Sequence, residues 1–327
     1  MIRSGKQERK TRLDTPVALI VFNRPAMTRR VFAAVAAVRP TRLFLIIDGP
    51  RADHPEDLKR CEEVKEIVEG VNWPCRVESN VSAHNMGCRD RIISGLNWVF
   101  SQVEEAIIVE DDCVPDPSFF PYCTQLLERY RDCGQIGPIL GHQPLEKAFP
   151  SEYSYFFSRT IRFWGWATWR RAWQEFDEHM ESWPEVKKAG LLKTIFPERG
   201  IADYWTRVFD TIYGEDAPTA WGYNWTYTCW TRNWLSIVPR RNLVQNIGFG
   251  EDATHTSVVD KERTLSSGPM SFPLQHPAAI IPRHSHDVYE CRMFLVPHLP
   301  RRIKRKLLLQ VLPAIRRKFF NPRPASL

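Results

Sequence analysis

The sequence predicts an α/β fold built on a mostly parallel sheet flanked by helices, with an aromatic-rich second half. Three observations carry that prediction. Short apolar runs of strand length alternate with amphipathic stretches of helix length over the first 130 residues. Each apolar run ends in residues able to bind a ligand. Beyond about residue 145 the periodicity changes, and that half holds every tryptophan except Trp73 and Trp98. Strands that alternate with helices imply parallel pairing through crossover connections.

The elements follow in order. VALIVF at 17–22 reads as a buried strand, and Pro25 suits the first position of a helix that turns Val31, Ala34, Val35 and Val38 inward. LFLII at 43–47 is a second strand, ending in Asp48-Gly49-Pro50. Residues 55–69 repeat the helical pattern with Leu58, Cys61, Val64 and Val68, and a short strand is expected at 76–78. The polar loop SNVSAHNMGCRD leads to a helix carrying Ile92, Ile93, Leu96, Val99 and Phe100. AIIV at 106–109 is a fourth strand, followed by Glu110, Asp111 and Asp112. The next helix presents Phe119, Phe120, Cys123, Leu126, Leu127 and Tyr130 on one face, with Asp116-Pro117 as its start signal.

At 327 residues, with 43% hydrophobic and 25% charged residues, the chain can bury a sizeable core. Four segments are expected: a disordered tail at 1–14, a first half at 15–145, a second half at 146–292 packed on the same sheet, and a basic amphipathic tail at 293–327. The formal charge of +7 is local. Nine Lys or Arg and no acid lie in 293–327, leaving 36 bases against 38 acids elsewhere. A protein that tracks phosphates spreads its bases over the folded surface, so nucleic-acid binding is not expected. The eight cysteines include no C-x-x-C pair, which argues against zinc, redox or disulfide roles. No run is long and apolar enough to span a bilayer, and the N-terminus lacks an apolar signal core. A cytoplasmic protein is expected, its tail resting on the inner face of a membrane, although a partner-docking helix would read the same way.

The acids after the fourth strand are the clearest chemical signal. Along an extended chain Glu110 and Asp112 would face one way and Asp111 the other. Three adjacent carboxylates repel unless a cation sits among them, and oxygen ligands suit Mg²⁺ or Mn²⁺. Helix capping is the competing role, but Asp116 already supplies it. Asn23-Arg24, Asp48 and the acids all follow strand ends, where open α/β sheets hold ligands. In the polar loop, Asn85, Gly87 and Arg91 are candidate phosphate contacts, Gly87 allowing close backbone approach to a helix N-terminus; a plain solvated loop has the same composition. Trp164 and Trp166 in WGWATWRR, with Trp225, offer flat faces to sugar rings or else belong to the core. His255, in GFGEDATHT, is a candidate metal ligand or a structural histidine.

VALIVFNRP, AIIVEDD followed by PDPSFF, WGWATWRRAW and NLVQNIGFGEDATHT, in that order, resemble bacterial nucleotide-diphospho-sugar transferases. These are similar to glycosyltransferase family 2 and, more distantly, to N-acetylglucosaminyltransferase I. The likeness spans residues 15–285. It implies a GT-A fold and a metal-dependent glycosyltransferase moving a hexosyl group from a nucleotide-sugar donor, held through Mn²⁺ or Mg²⁺, to a glycan or lipid-linked acceptor in surface polysaccharide synthesis. Asp112 would be the metal ligand, Glu110 and Asp111 would contact ribose or metal-bound water, and Asn23, Arg24 and Asp48 would surround base and ribose. One departure stands out. The resemblance implies an acid just after the first tryptophan of the W-x-Y-x-W segment, as catalytic base, where this chain has Gly222. Asp216, Glu251 or Asp252 would have to substitute. A sugar nucleotidyltransferase, or a catalytically silent glycan-binding subunit, remains the alternative; the first is disfavoured by the lack of a Gly- and Lys-rich loop near the first strand.

Overall fold

The computed structural model describes residues 12–198, 200–214, 221–248 and 265–295. Asp216, Glu251, Asp252 and His255 lie outside the described residues, as do the first eleven residues and the tail from 296 onward.

The first half is built from buried apolar strands and one-sided helices. β1 (Val17–Val21) is buried along its length. α1 (Pro25–Val38) starts on Pro25, whose fixed φ and missing N–H suit the first turn, and buries Thr28, Val31 and Val35. Ala34 and Val38, expected to point inward, are only half-buried. β2 (Arg42–Ile47) is followed by α2 (Pro55–Glu69), which buries Asp57, Cys61, Val64 and Val68; Leu58 is exposed. β3 (Arg76–Val81) is longer than its apolar pattern suggests. It is an edge strand whose backbone pairs with β2 from Arg42↔Arg76 to Ile47↔Val81, whatever its side chains. α3 (Cys88–Phe100) then returns the chain to β4 (Glu105–Glu110).

The second half continues the same sheet. β5 (Cys113–Pro115) and α4 (Phe119–Arg129) lead to β6 (Ile136–Leu140), β7 (Tyr155–Ser158) and β8 (Trp166–Trp169). Short helices α5 (Arg170–Trp173), α6 (Trp183–Lys188) and α7 (Leu192–Ile195) precede α8 (Ile201–Gly214) and α9 (Trp221–Thr231). The last elements are β9 (Leu235–Pro239), β10 (Val244–Asn246) and α10 (His284–Glu290), which runs into a π-turn at Cys291–Leu295.

Eight strands form one sheet in the order β3-β2-β1-β4-β8-β6-β9-β7, and β5 and β10 form a separate ribbon. β8 pairs antiparallel with β4 and β6, and β7 antiparallel with β9; the other pairings are parallel. The fold is therefore α/β with a mostly parallel sheet, as the sequence predicts. Alternation along each strand feeds two cores, one on each face. Leu19, Leu45 and Val109 meet α1, α2 and α4, whereas Ile20, Ile46 and Ile108 meet α3 and the tryptophans of α5, α8 and α9. Few regular helices are expected from the aromatic half, yet α8 is regular, burying Ile201, Ala202, Trp205, Phe209 and Ile212 on one side. Among the described residues no helix is long and apolar enough to cross a membrane.

Candidate active site

The strand order fixes where a ligand can approach. From β1 the chain steps outward to β2 and β3, then crosses back to place β4 on the other side of β1. The connections thus diverge between β1 and β4, and the crevice beyond the carboxyl ends of such a strand pair is where open α/β sheets hold ligands. Arg24 follows β1 there and the three acids follow β4.

The chain leaves the strand after Glu110 and turns at Asp111 and Asp112, so the alternation expected of an extended backbone does not hold. Asp111 and Asp112 face the same partner: Arg24 Nη1 lies 3.3 Å from Asp111 Oδ1 and 3.3 Å from Asp112 Oδ2. Asp111 is nearly buried and also accepts the Phe22 amide at 3.3 Å, tying the end of β1 to the end of β4. Burial, together with repulsion from its neighbours, pushes the Glu110 carboxyl well above the ordinary range; burial raises Asp111 too, despite Arg24. The Arg24 guanidinium is correspondingly raised by the acids against the opposing effect of burial. One guanidinium cannot neutralise three carboxylates.

The β5–β10 ribbon brings a second segment to Asp112. Ile247 donates its amide to the Asp112 carbonyl at 2.8 Å, and Gly248 packs so closely that a Cβ there would lie 2.3 Å from Asp112 Oδ2. Gly248 is the last described residue before Glu251, Asp252 and His255 in the sequence. Among the described residues no three His, Cys, Asp or Glu side chains converge as a complete metal site. The donor set nonetheless fits a hard divalent cation in charge and in element: oxygen ligands in excess of positive charge, with Asp112 partly open to solvent.

The other expected donor contacts fall into two neighbouring clusters, each already engaged. Asp48 is 5% exposed; its Oδ1 accepts the Gly49 amide at 3.0 Å and the Met86 amide at 2.9 Å, and its Oδ2 accepts Asn85 Nδ2 at 2.8 Å. Burial raises the Asp48 carboxyl, with these amides pulling the other way. Asp48 thus clamps the loop that ends at Gly87, whose φ of 79° favours glycine and which begins α3 with open space before it. Cys88, the next residue, is exposed and lines the same cavity as Glu110, which puts the start of α3 beside the acids. Arg91 is buried and donates to Asn80 Oδ1 at 2.9 Å and to the Asn80 carbonyl, so it holds β3 and does not reach the crevice. Arg89 is paired with Asp90 and Glu178.

Asn23 makes the second cluster. Its Nδ2 donates to Asp57 Oδ1 at 2.6 Å, and Arg51 binds the same carboxylate through Nε at 2.6 Å and Nη2 at 3.0 Å. Those bonds hold Asp57 down to about 2. Asp57 and Arg51 were not legible as site-forming residues, since an acid in the first turn of a helix reads as a dipole partner.

The expected tryptophan platforms divide. Trp166 and Trp225 are 1% and 0% exposed, packed at 6.0 Å from each other, and give no ring face to a ligand. Only Trp164 lies beside open space, in a cavity it shares with Glu110. Arg171 is structural as well: it stacks over Trp169 at 4.4 Å and donates to the carbonyls of Arg131, Ile136 and Tyr130.

No protein-family model matches the chain, and no curated protein matches it in sequence. Solved structures similar to it include the mannosyltransferase PcManGT from Pyrobaculum calidifontis in complex with GDP-Man and Mn²⁺, at 10% identity over 68% of this chain and 74% of that one, with a TM-score of 0.34. A UDP-glucose pyrophosphorylase complexed with UDP-glucose aligns at 11% identity over 46% of this chain, TM-score 0.25; this chain spans 64% of that protein's length. A 4-diphosphocytidyl-2C-methyl-D-erythritol synthase from Anaerococcus prevotii aligns at 10% identity over 54% and 77% of the two chains, TM-score 0.31. At these scores the likenesses carry no argument about activity, which has to come from the site.

Proposed function

We propose that the protein is a metal-dependent glycosyltransferase that moves a sugar from a nucleotide-sugar donor to a glycan or lipid-linked acceptor in surface polysaccharide synthesis. The observation that carries this is the cluster of Arg24, Glu110, Asp111 and Asp112 at the point where the connections of β1 and β4 diverge. Its excess negative charge invites a divalent cation, and the glycine-led start of α3 stands beside it, ready for phosphate oxygens.

In this reading Asp112, with His255 as a further ligand, would hold Mn²⁺ or Mg²⁺, and Glu110 and Asp111 would contact ribose or metal-bound water. When bound, the metal offsets the charge of the departing nucleoside diphosphate. Arg24 supplies a second positive group at the same edge. Asp48 and Asn85 shape the loop around Gly87, and Asn23 with Arg51 lines the base side through Asp57. The acceptor hydroxyl needs a proton acceptor. Gly222 cannot serve, so the base is Asp216, Glu251 or Asp252, the latter two following Gly248 by three and four residues in the sequence. The basic tail at 293–327 would keep the enzyme at an anionic membrane surface.

The test is turnover. The full chain is incubated with Mn²⁺ and a panel of UDP-, GDP-, CMP- and dTDP-sugars, with release of the nucleotide followed. Metal-dependent release with at least one donor is expected. Pyrophosphate-dependent formation of nucleoside triphosphate would instead identify a sugar nucleotidyltransferase, and glycan binding without any turnover a silent subunit.

A further inference from the structure

A cavity of about 310 Å³ lies directly beyond Glu110, enclosed by residues 160–164, α8, α9 and the end of α10. Its wall is aromatic. The rings of Phe163 and Trp221 are 4.6 Å apart, those of Trp205 and Trp230 are 4.6 Å apart, and Trp164 and Tyr223 complete it. The polar part of the lining includes an ion pair whose carboxylate is buried: Arg162 Nε donates to Glu290 Oε1 at 2.6 Å, and Thr160 Oγ1 donates to Glu290 Oε2 at 3.0 Å. Although burial alone would raise it, Glu290 is held below the usual carboxylate range by Arg162 and His286.

The volume is at the low end of the roughly 300–1,000 Å³ typical of small-molecule sites, which suits one or two rings and not a chain. Aromatic faces cover the apolar C–H faces of a sugar ring, while an ion pair and a hydroxyl offer partners to its hydroxyl groups. An aliphatic occupant would leave that polar pair against hydrocarbon, which is costly. An anionic sugar would meet the Glu290 carboxylate, whose arginine, Arg162, is already bonded to it.

We propose that this cavity is a carbohydrate subsite for a neutral pyranose, the unit of the acceptor that meets the donor at Glu110. Its role as acceptor site rests on the glycosyltransferase reading; its binding of a sugar does not. The cavity joins the acidic crevice to the aromatic half, and Trp166 and Trp173, packed behind Trp221, shape the pocket without contacting sugar themselves.

The experiment measures binding by the full chain of methyl α-D-glucopyranoside, methyl β-D-galactopyranoside and methyl N-acetyl-β-D-glucosaminide, by saturation-transfer NMR and tryptophan fluorescence, with and without UDP and Mn²⁺. Methyl β-D-glucuronide and 1-octanol are the comparison probes. At least one neutral glycoside is expected to bind, with the glucuronide and octanol about tenfold weaker or worse. Thr226→Met, which fills the cavity from α9, and Trp164→Ala, which opens its half-buried rim, should each lose about tenfold or more. Absence of binding by every neutral glycoside, preference for octanol or glucuronide, or unchanged binding in a folded Trp164→Ala variant would overturn the proposal. UDP and GDP affinities with Mn²⁺ are measured on the same samples. Glycoside binding without nucleotide binding removes the donor reading and spares the cavity; nucleotide binding without glycoside binding does the reverse.

Discussion

The ring of Phe163 fills the space that any side chain at position 222 would need: a Cβ built on Gly222 would stand 2.4 Å from Phe163 Cε2. The absence of an acid at this point of α9 is therefore part of the packing. Alanine at a helical glycine gains about 1 kcal/mol in propensity, whereas overpacking of this kind costs about 1–3 kcal/mol. Gly222→Ala is expected to destabilise the protein in chemical denaturation, and the same substitution in a Phe163→Leu background to stabilise it. Additive effects would show that the two positions do not share that space.

Asp57 gives a pH dependence with a definite sign. Its folded pKa, about 2, lies below the ordinary carboxylate value, so its bonds to Arg51 and Asn23 contribute stability that is complete above about pH 4 and is lost as pH falls through 2. With Arg51 more than a third exposed, the contribution is about 1–2 kcal/mol. Wild type and Asp57→Asn should differ in denaturation midpoint at pH 6, and the gap should close on acidification. A gap that stays constant from pH 6 to pH 2 would remove the assignment.

Asp48 is predicted to act on the loop before α3 and not through a ligand. Asp48→Ala leaves the Gly49 and Met86 amides without their acceptor, a loss of about 1–3 kcal/mol in loop order. Native-state hydrogen exchange at Met86 should accelerate, with the amides of α4 unaffected. Unchanged protection at Met86 would contradict the clamp.

Arg171 ties three backbone carbonyls with a planar fork that lysine cannot copy. Arg171→Lys is expected to cost about 1–3 kcal/mol in urea unfolding, as hydrogen bonds from a charged group are lost. A cost indistinguishable from zero would mean the side chain is solvated.

Much of the scaffold was legible because its signals are local. Val17–Val21 and Arg42–Ile47 are apolar without interruption, Pro25 and Pro55 open their helices, and the Asp116 carboxylate accepts Ser118 N at 2.8 Å at the start of α4. What escaped was non-local. Nothing in WATW indicates that β8 inserts antiparallel between β4 and β6, or that Trp166 sits against Trp225 in a core and not on a surface. An exposed and a buried tryptophan look alike in a sequence without periodicity. In the site, the meeting of Arg24 with the acids follows from strand order, whereas Asp48 and Asn23 are engaged by partners 34 to 38 residues away and Arg91 turns back onto Asn80 of β3. Arg162 and Glu290, 128 residues apart, carried no sequence signal as a pair.

The central claim is that Asp112, at the edge shared with Arg24, holds the cation through which a nucleoside diphosphate binds. Calorimetric titration of UDP and GDP into the full chain with Mn²⁺ tests it most directly, alongside the same titration into Asp112→Ala with its fold checked by circular dichroism. The account predicts binding by the wild type that requires Mn²⁺, and its loss in a folded Asp112→Ala protein. Equal Mn²⁺-dependent affinity in the two proteins would contradict it.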